Sequence, residues 1–524
     1  MNRQLRKLAI ALMACYLALF VKLNFLQVID AKALNDEPGN GRAVVRDFNR
    51  PRGDIVTADG TTVAHSEESD GRYKYQRTYP TDDLFAQTVG SYSLLFGTDG
   101  VEKRYNDELS GNTTDFRVRG FLDPFLEEPN VGTVEVTLRA DVQQVAKEAL
   151  GNKPGSVVAL DPRTGAVLAM WSYPSYNPNL TSLNDATAAR AFKEAYDKQA
   201  DKPLLAKTFR ERYFPGSTFK VVTASAGLES GKVTETTPSF PVSTGYQPPL
   251  TTRTIRNFDG ANCGGTLFEL LRVSCNGGFA AMGAEVLGPE IMIGGAEAFG
   301  FNDVPPIDLP GAVRSVFPTD FGKRLRDGDD PGDAAVYEKT PQLAQASIGQ
   351  NDVSATPLQM AMVAGAIGNG GTMMTPHVMA EVRDRKQESI DTYQPSVWKT
   401  PVSKETAEIM RRGMVEVATN GTAKAMAIGG VEVGGKTGTA QLGTPDPKSH
   451  AWVIGFAGPA GQPAQVAVAV LVQGQPGASE QTGGRVAAPI AKRVLEAALA
   501  APVQPGTAGR RAAGQPVAQR ARAA

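Results

Sequence analysis

Phe214-Pro215-Gly216-Ser217-Thr218-Phe219-Lys220 opens an apolar run through Val221, Val222 and Ala224, and its reading decides the fold. Pro215 and Gly216 turn the backbone sharply, so the helix predicted from the apolar run begins at Ser217. A serine three residues ahead of a lysine shares a helix face with it, where an amine can activate the hydroxyl as a nucleophile. The helix N-terminus adds free N–H groups and a positive dipole end, which favour an alkoxide or a neighbouring oxyanion hole. Working outward, Ser274-Cys275-Asn276 and Lys436-Thr437-Gly438 come after it in that order. The chain has three histidines, His65, His377 and His450, and none lies in a local motif. A Ser-His-Asp arrangement therefore has less support than the Ser/Lys one.

Each short motif alone is weak, and the chain contains its own decoys. Ser396-Val397-Trp398-Lys399 also fits Ser-x-x-Lys, but Lys399-Thr400-Pro401 reads as a loop. Ser110, Ser175 and Ser182 each begin a Ser-x-Asn match, yet all precede Ser217; Ser274 falls between the first motif and the third. Gly430-Val431-Glu432-Val433-Gly434-Gly435-Lys436-Thr437 satisfies the P-loop pattern letter for letter. A P-loop needs a strand before it and a helix opening at Lys-Thr. Here Val431 and Val433 fall inside the supposed loop, and Gly438, Gly443, Pro445 and Pro447 oppose a helix after it. Val431 to Gln441 is predicted instead as an edge strand that aims Lys436 and Thr437 into a cleft. In this reading Gly434-Gly435 lets a substrate backbone approach.

A chain of 524 residues with net charge −1 holds two or three folding units and gives no global reason to expect a nucleic-acid partner. Arg3, Arg6 and Lys7 precede an apolar segment from Leu8 to Ile29, about 22 residues or roughly 33 Å as a helix, enough to span a bilayer. Positive charge on the N-terminal side puts residues 1–7 in the cytoplasm and everything after the segment outside. A signal peptide cut after Ala31-Lys32-Ala33 is the rival, but the run is long for one. Cys15 lies in the apolar segment. Cys263 and Cys275 face an oxidising exterior, where they either pair, clamping the backbone beside Ser274 and Asn276, or remain two buried thiols.

Residues 30–132 are polar, with short β-like runs at Val44-Val45 and Ile55-Val56 and a turn at Asp59-Gly60, and read as a small β-containing module. A second unit is predicted over 133–500. It opens with a strand at Thr133–Leu138 and a helix capped by Asp141 and stopped by Gly151. A hairpin comes next, Ser156–Leu160 and Ala166–Met170 around Asp161-Pro162-Arg163-Thr164-Gly165. Strands at Trp452–Ala457 and Gln465–Gln473 and a helix at Val486–Ala500 complete it. Strands at both ends around a helix-rich middle imply an α+β fold with a mostly antiparallel sheet. Residues 501–524 lack acids and read as a disordered Ala/Gly/Pro/Arg tail.

On these motifs, with Arg52-Gly53-Asp54-Ile55, Gly100-Val101-Glu102, Leu160-Asp161-Pro162-Arg163-Thr164-Gly165, Gly349-Gln350 and Thr356-Pro357, the chain resembles the class B penicillin-binding proteins, membrane-anchored peptidoglycan D,D-transpeptidases. It is most similar to the actinobacterial penicillin-binding protein A type. The resemblance implies a five-stranded antiparallel sheet flanked by helices, a helical subdomain, and a non-catalytic pedestal or dimerisation module over 30–132. It implies that Ser217 is acylated by a D-alanyl-D-alanine stem peptide with Lys220 as base, and that Ser274 relays the proton. Asn276 then holds the substrate amide and positions Lys220. Lys436 and Thr437 bind the terminal carboxylate, and Gly438 and Thr439 complete the substrate site. The N–H groups of Ser217 and Thr439 form the oxyanion hole. Cysteine in the middle of the second motif departs from many relatives without touching its flanking residues. The implied partners are stem peptides, β-lactams, a membrane glycan polymerase of the SEDS type, and division or elongation proteins; no cofactor is implied. A D,D-carboxypeptidase, a β-lactamase and a scaffold with a vestigial site remain as alternatives. His450 reads as a polar residue at a strand end. The run Asp327, Asp329, Asp330 and Asp333 reads as a solvated loop rather than a calcium or other metal site.

Overall fold

The computed structural model describes residues 2–26, 41–113, 116, 130–328, 334–441, 449–475 and 482–501. The sequence readings at Ala31-Lys32-Ala33, at Asp329, Asp330 and Asp333, and in the tail from 502 lie outside them. The apolar N-terminal segment is a helix over Asn2–Asn24, and its Arg3–Asn24 portion is long and apolar enough to cross a membrane, with none of it buried. The rest of the expected span, to Ile29, lies partly beyond the described residues.

Two sheets organise the chain beyond this helix. The first has six strands in the order Ser389–Thr392, Met379–Arg383, Thr133–Val136, Ile55–Thr57, Thr62–Glu68, Tyr75–Thr78. Thr133–Val136, read in sequence as the opening of the second unit, lies in the middle of this sheet, parallel to Ile55–Thr57 and antiparallel to Met379–Arg383. Two further readings are corrected here. Val44-Val45 is not strand but part of a helix, Gly41–Phe48, anchored by the Phe48 ring stacked on Tyr92 at 4.6 Å. Helix Ala140–Leu150 begins one residue before Asp141, whose carboxylate accepts from Val142 N at 2.8 Å but does not reach the two N–H groups ahead of it. The Asp59 carboxylate, from the turn of the first module, accepts from the N–H of Ala140 at 3.0 Å and of Asp141 at 3.3 Å. An acceptor brought by the fold has taken the place of one expected from the local chain.

Behind Arg52-Gly53-Asp54 and Gly100-Val101-Glu102 lies a buried charge cluster. The Glu102 carboxylate, fully enclosed, takes Arg52 Nε at 2.6 Å and Arg77 Nε at 2.7 Å. Burial alone would raise its pKa, but the two guanidinium groups outweigh that and hold it below the usual carboxylate range. Removing one partner of a buried ion pair strands the others, so Glu102→Ala is expected to lose about 3–5 kcal/mol of stability, read as a lowered urea midpoint.

The second sheet carries the site. Its five strands run antiparallel in the order Glu432–Gln441, Ser449–Gly458, Val466–Val472, Gly155–Leu160, Val167–Tyr173. The last two form the hairpin read around Asp161–Gly165. Helices Ala140–Leu150 and Ala488–Leu499 pack against each other and onto the sheet, as does Pro357–Gly368, every residue of which is buried. The inner strands Ser449–Gly458 and Val466–Val472 are buried along their whole length. That is why they read as continuous Val/Ala/Ile runs rather than alternating ones. Glu432–Gln441 is left at the sheet's edge.

Candidate active site

Gly216–Phe219 forms a single 3-10 turn that continues into helix Lys220–Glu229, with Lys220 through Leu228 buried. Gly216 has φ +52, and a Cβ there would come within 2.9 Å of the Thr439 carbonyl oxygen. Its N–H donates to Gly349 O at 2.9 Å, and Trp452 Nε1 donates to Phe214 O at 3.0 Å. A glycine at 216 thus lets the nucleophile turn lie against the edge strand beside Thr439, leaving Ser217 half-buried at the cleft.

The second motif enters from the end of helix Leu267–Val273. Ser274 has φ 60 and ψ 45, a left-handed conformation that a non-glycine residue keeps only when its surroundings impose it. Cys275 is bonded to Cys263, with Cα atoms 5.8 Å apart, so of the two sequence alternatives the structure has the pair. Lys220 Nζ donates to Ser274 O at 2.8 Å, Ser274 Oγ at 3.3 Å and Asn276 Oδ1 at 2.7 Å. Lys436 Nζ donates to the same Ser274 Oγ at 2.7 Å and to Thr437 O at 2.9 Å. The expected Ser217–Lys220 contact is not made: the lysine's donors are engaged by the second motif, and Ser217 Oγ has no hydrogen bond among the described residues. Resting sites often hold such contacts loosely and tighten them on substrate.

Both lysines are fully enclosed. Burial, then the neighbouring Lys436, holds the Lys220 amine well below its usual pKa, and burial brings Lys436 to about 7. The shift lets Lys220 lose its proton more readily than a free lysine, and once neutral its lone pair accepts from the Ser274 hydroxyl, the longest of its three contacts, rather than donating to it; Lys436 carries charge below about pH 7. Hence kcat/KM for acylation by a carboxylate-bearing β-lactam should rise with pH as Lys220 loses its proton. It should fall again above about pH 7, as Lys436 loses its own and stops attracting the carboxylate. Stopped-flow acylation across pH 5–9, roughly two units on either side of neutrality, checks the fall above about pH 7 and the rise below it.

One sequence reading changes. Gly434 and Gly435 do not make room for substrate: a Cβ at Gly434 would strike the Phe456 ring at 2.2 Å, and one at Gly435 would meet Met426 Sδ at 2.8 Å. Both glycines serve packing of the strand onto its own core. Thr437, half of the expected carboxylate clamp, is buried and bonds Thr422 Oγ1 at 2.6 Å, a partner with no motif to announce it. Thr439 is half-buried at the cleft. His450 is buried and structural: Nδ1 accepts from Gly474 N at 3.0 Å and its ring meets Tyr213 edge-on. The decoys separate in space, since Ser396 Oγ bonds Thr375 Oγ1 while Lys399 pairs with Asp303. Lys436-Thr437 lies inside a strand, where no P-loop helix begins.

A half-buried serine at a helix start, three residues ahead of one of two enclosed lysines that share the Ser274 hydroxyl, fits a serine acyltransferase of the Ser/Lys type. Comparison with known proteins agrees. Residues 155–496 match the penicillin binding protein transpeptidase domain, and residues 52–134 match the penicillin binding protein A dimerisation domain. The chain is 37% identical to the peptidoglycan D,D-transpeptidase PbpA of Mycolicibacterium smegmatis, over 95% of this chain and 99% of that one. It is 36% identical to the PbpA of Mycobacterium tuberculosis over the same shares. Among solved structures it resembles penicillin-binding protein A from M. tuberculosis as a ceftriaxone acyl-enzyme, with TM-score 0.78 and 32% identity over 87% of this chain and 100% of that one. The penicillin G acyl-enzyme of the same protein gives TM-score 0.76. The chain belongs to the penicillin-binding protein transpeptidase family, as a class B, serine-type D,D-transpeptidase of the penicillin-binding protein A type.

Proposed function

We propose that this chain cross-links peptidoglycan through Ser217. Lys220 takes the hydroxyl proton while Oγ attacks the carbonyl between the two terminal D-alanines. The oxyanion faces the N–H groups of Ser217 and Thr439. The C–N bond breaks, D-alanine leaves with a proton relayed through Ser274, and an ester to Ser217 remains. An amine of a neighbouring stem peptide attacks that ester and gives a proton to Lys220; the C–O bond to Ser217 breaks as Lys220 passes that proton to Oγ, which restores the hydroxyl and the neutral amine. Asn276 holds the donor amide, and Lys436, Thr437 and Gly438 the terminal carboxylate. β-Lactams, with a strained amide beside a carboxylate, enter the same path and stop at the ester. The observation that carries this reading is Ser274 Oγ held between Lys220 and Lys436, a proton path joining base to leaving group.

The apolar helix Arg3–Asn24 anchors the chain with its N-terminus in the cytoplasm, so that residues after it work on the wall outside. The first module and the anchor are proposed to dock a SEDS-type glycan polymerase and the division or elongation proteins that supply fresh strands. Full-length protein in detergent, given a D-alanyl-D-alanine-ended donor and a stem-peptide amine, should yield cross-linked product and D-alanine together. D-Alanine with hydrolysed donor alone would make it a carboxypeptidase. Rapid β-lactam turnover would make it a β-lactamase. No covalent adduct at all would favour the scaffold.

A further inference from the structure

The second motif is held from outside by the segment 240–265. This segment is two small antiparallel pairs, Phe240–Ser243 with Cys263–Gly265 and Gly245-Tyr246 with Ile255-Arg256. Within it Asn257 is 6% exposed, and its amide reaches three separate stretches of backbone. Nδ2 donates to Ser243 O at 2.8 Å and Ala261 O at 2.9 Å, and Oδ1 accepts from Gly277 N at 2.8 Å. The last of these is the peptide N–H immediately after Asn276, in the first turn of helix Asn276–Ala281, where no side chain of the helix's own caps it. The preceding carbonyl, Arg256 O, accepts from Asn276 Nδ2 at 3.0 Å. An asparagine amide has one donor end with two protons and one acceptor end. With one proton given to Arg256, Asn276 must turn Oδ1 toward Lys220, and one proton is left for the cleft.

We propose that Asn257 is a positioning residue for acylation, fixing through Gly277 N and the adjoining Arg256 carbonyl which end of the Asn276 amide faces Lys220 and which faces substrate. This rests on the role given to Asn276 above. The Cys263–Cys275 bond ties the same segment to the motif covalently, but a disulfide sets proximity alone. The amide of Asn257 sets direction.

The test is a double-mutant cycle in the full-length chain, with acylation by a fluorescent penicillin as the rate and thermal unfolding and intact mass checking fold and disulfide. Asn257→Ala in the native background should lower the acylation rate about tenfold or more. The same change in an Asn276→Ala background should cost far less, because nothing remains to be oriented. Asn257→Ser, smaller and uncharged, removes the bonds to Ser243, Ala261 and Gly277 without setting a carboxylate against the two carbonyls, and runs through the same cycle with an equally coupled loss. For whichever variant folds, no loss of rate, or a loss carried undiminished into the Asn276→Ala background, overturns the proposal. If Asn276→Ala alone leaves the rate unchanged, the role of Asn276 fails and the proposal with it, a result distinct from failure of Asn257 alone.

Discussion

Ser217→Ala yields no covalent adduct with a fluorescent penicillin, and its acyl-transfer rate falls by about 10⁴- to 10⁶-fold, while Ser396→Ala labels like the unaltered protein. The magnitude comes from what the hydroxyl does. Without it no ester forms, and whatever activity remains is direct attack by water or amine in a cleft that still binds and polarises the substrate. The Ser396 control discriminates because it shares the Ser-x-x-Lys spacing while its hydroxyl is spent on Thr375 and its lysine on Asp303. Intact mass reads both variants. An adduct surviving in Ser217→Ala would move the nucleophile elsewhere and dissolve the site. The change itself is small and half-exposed, so unfolding should stay within about 0.5 kcal/mol of the unaltered protein, and a lost adduct reports chemistry.

The central sheet was legible because its signals are local. Val466–Val472 and Trp452–Ala457 announce buried strands by runs without a polar side chain, and Pro215-Gly216 announces the turn into the nucleophile helix. What escaped the sequence was settled by distance. Asp59 caps a helix that begins 81 residues later. Thr133–Val136 has the pattern of any half-buried strand, and only its parallel partner at Ile55–Thr57 draws it into the first module's sheet. Gly434-Gly435 reads equally well as room for a ligand or for a neighbour's ring, and Phe456, on the adjacent strand, decides between them. Motif order pointed to Ser217, Lys220, Ser274, Asn276 and Lys436; it was silent on Thr422 and Asn257, which lie in no motif and whose spacing to the motifs is a property of the fold. The same division explains Ser217 and Lys220, where helical spacing pointed to a contact but not to the competing acceptors that draw the amine toward Ser274 and Asn276.

Lys220→Met should lower the acylation rate by about 10²- to 10⁴-fold without unfolding the protein, and the rate that remains should lose its acidic limb. The side chain keeps its length and its packing beside the Phe279 ring, over which the amine now sits at 5.5 Å, but the base is gone. Stability separates this outcome from a structural defect. Burial, then Lys436, holds the folded-state pKa of Lys220 far below its unfolded value near 10.5. Between those two values the unfolded chain binds a proton that the folded chain does not, so the amine disfavours folding over that window, and more so as pH falls through it. Replacing it relieves that penalty, offset by the acceptors on Ser274 and Asn276 that lose a donor, the latter still held through Arg256. The melting temperature should therefore stay within a few degrees of the unaltered protein's while the rate collapses. A rate within about threefold of the unaltered protein's would transfer the role of base to Lys436, the other amine on Ser274 Oγ. A melting temperature that collapses with the rate would show instead that Lys220 holds the cleft together.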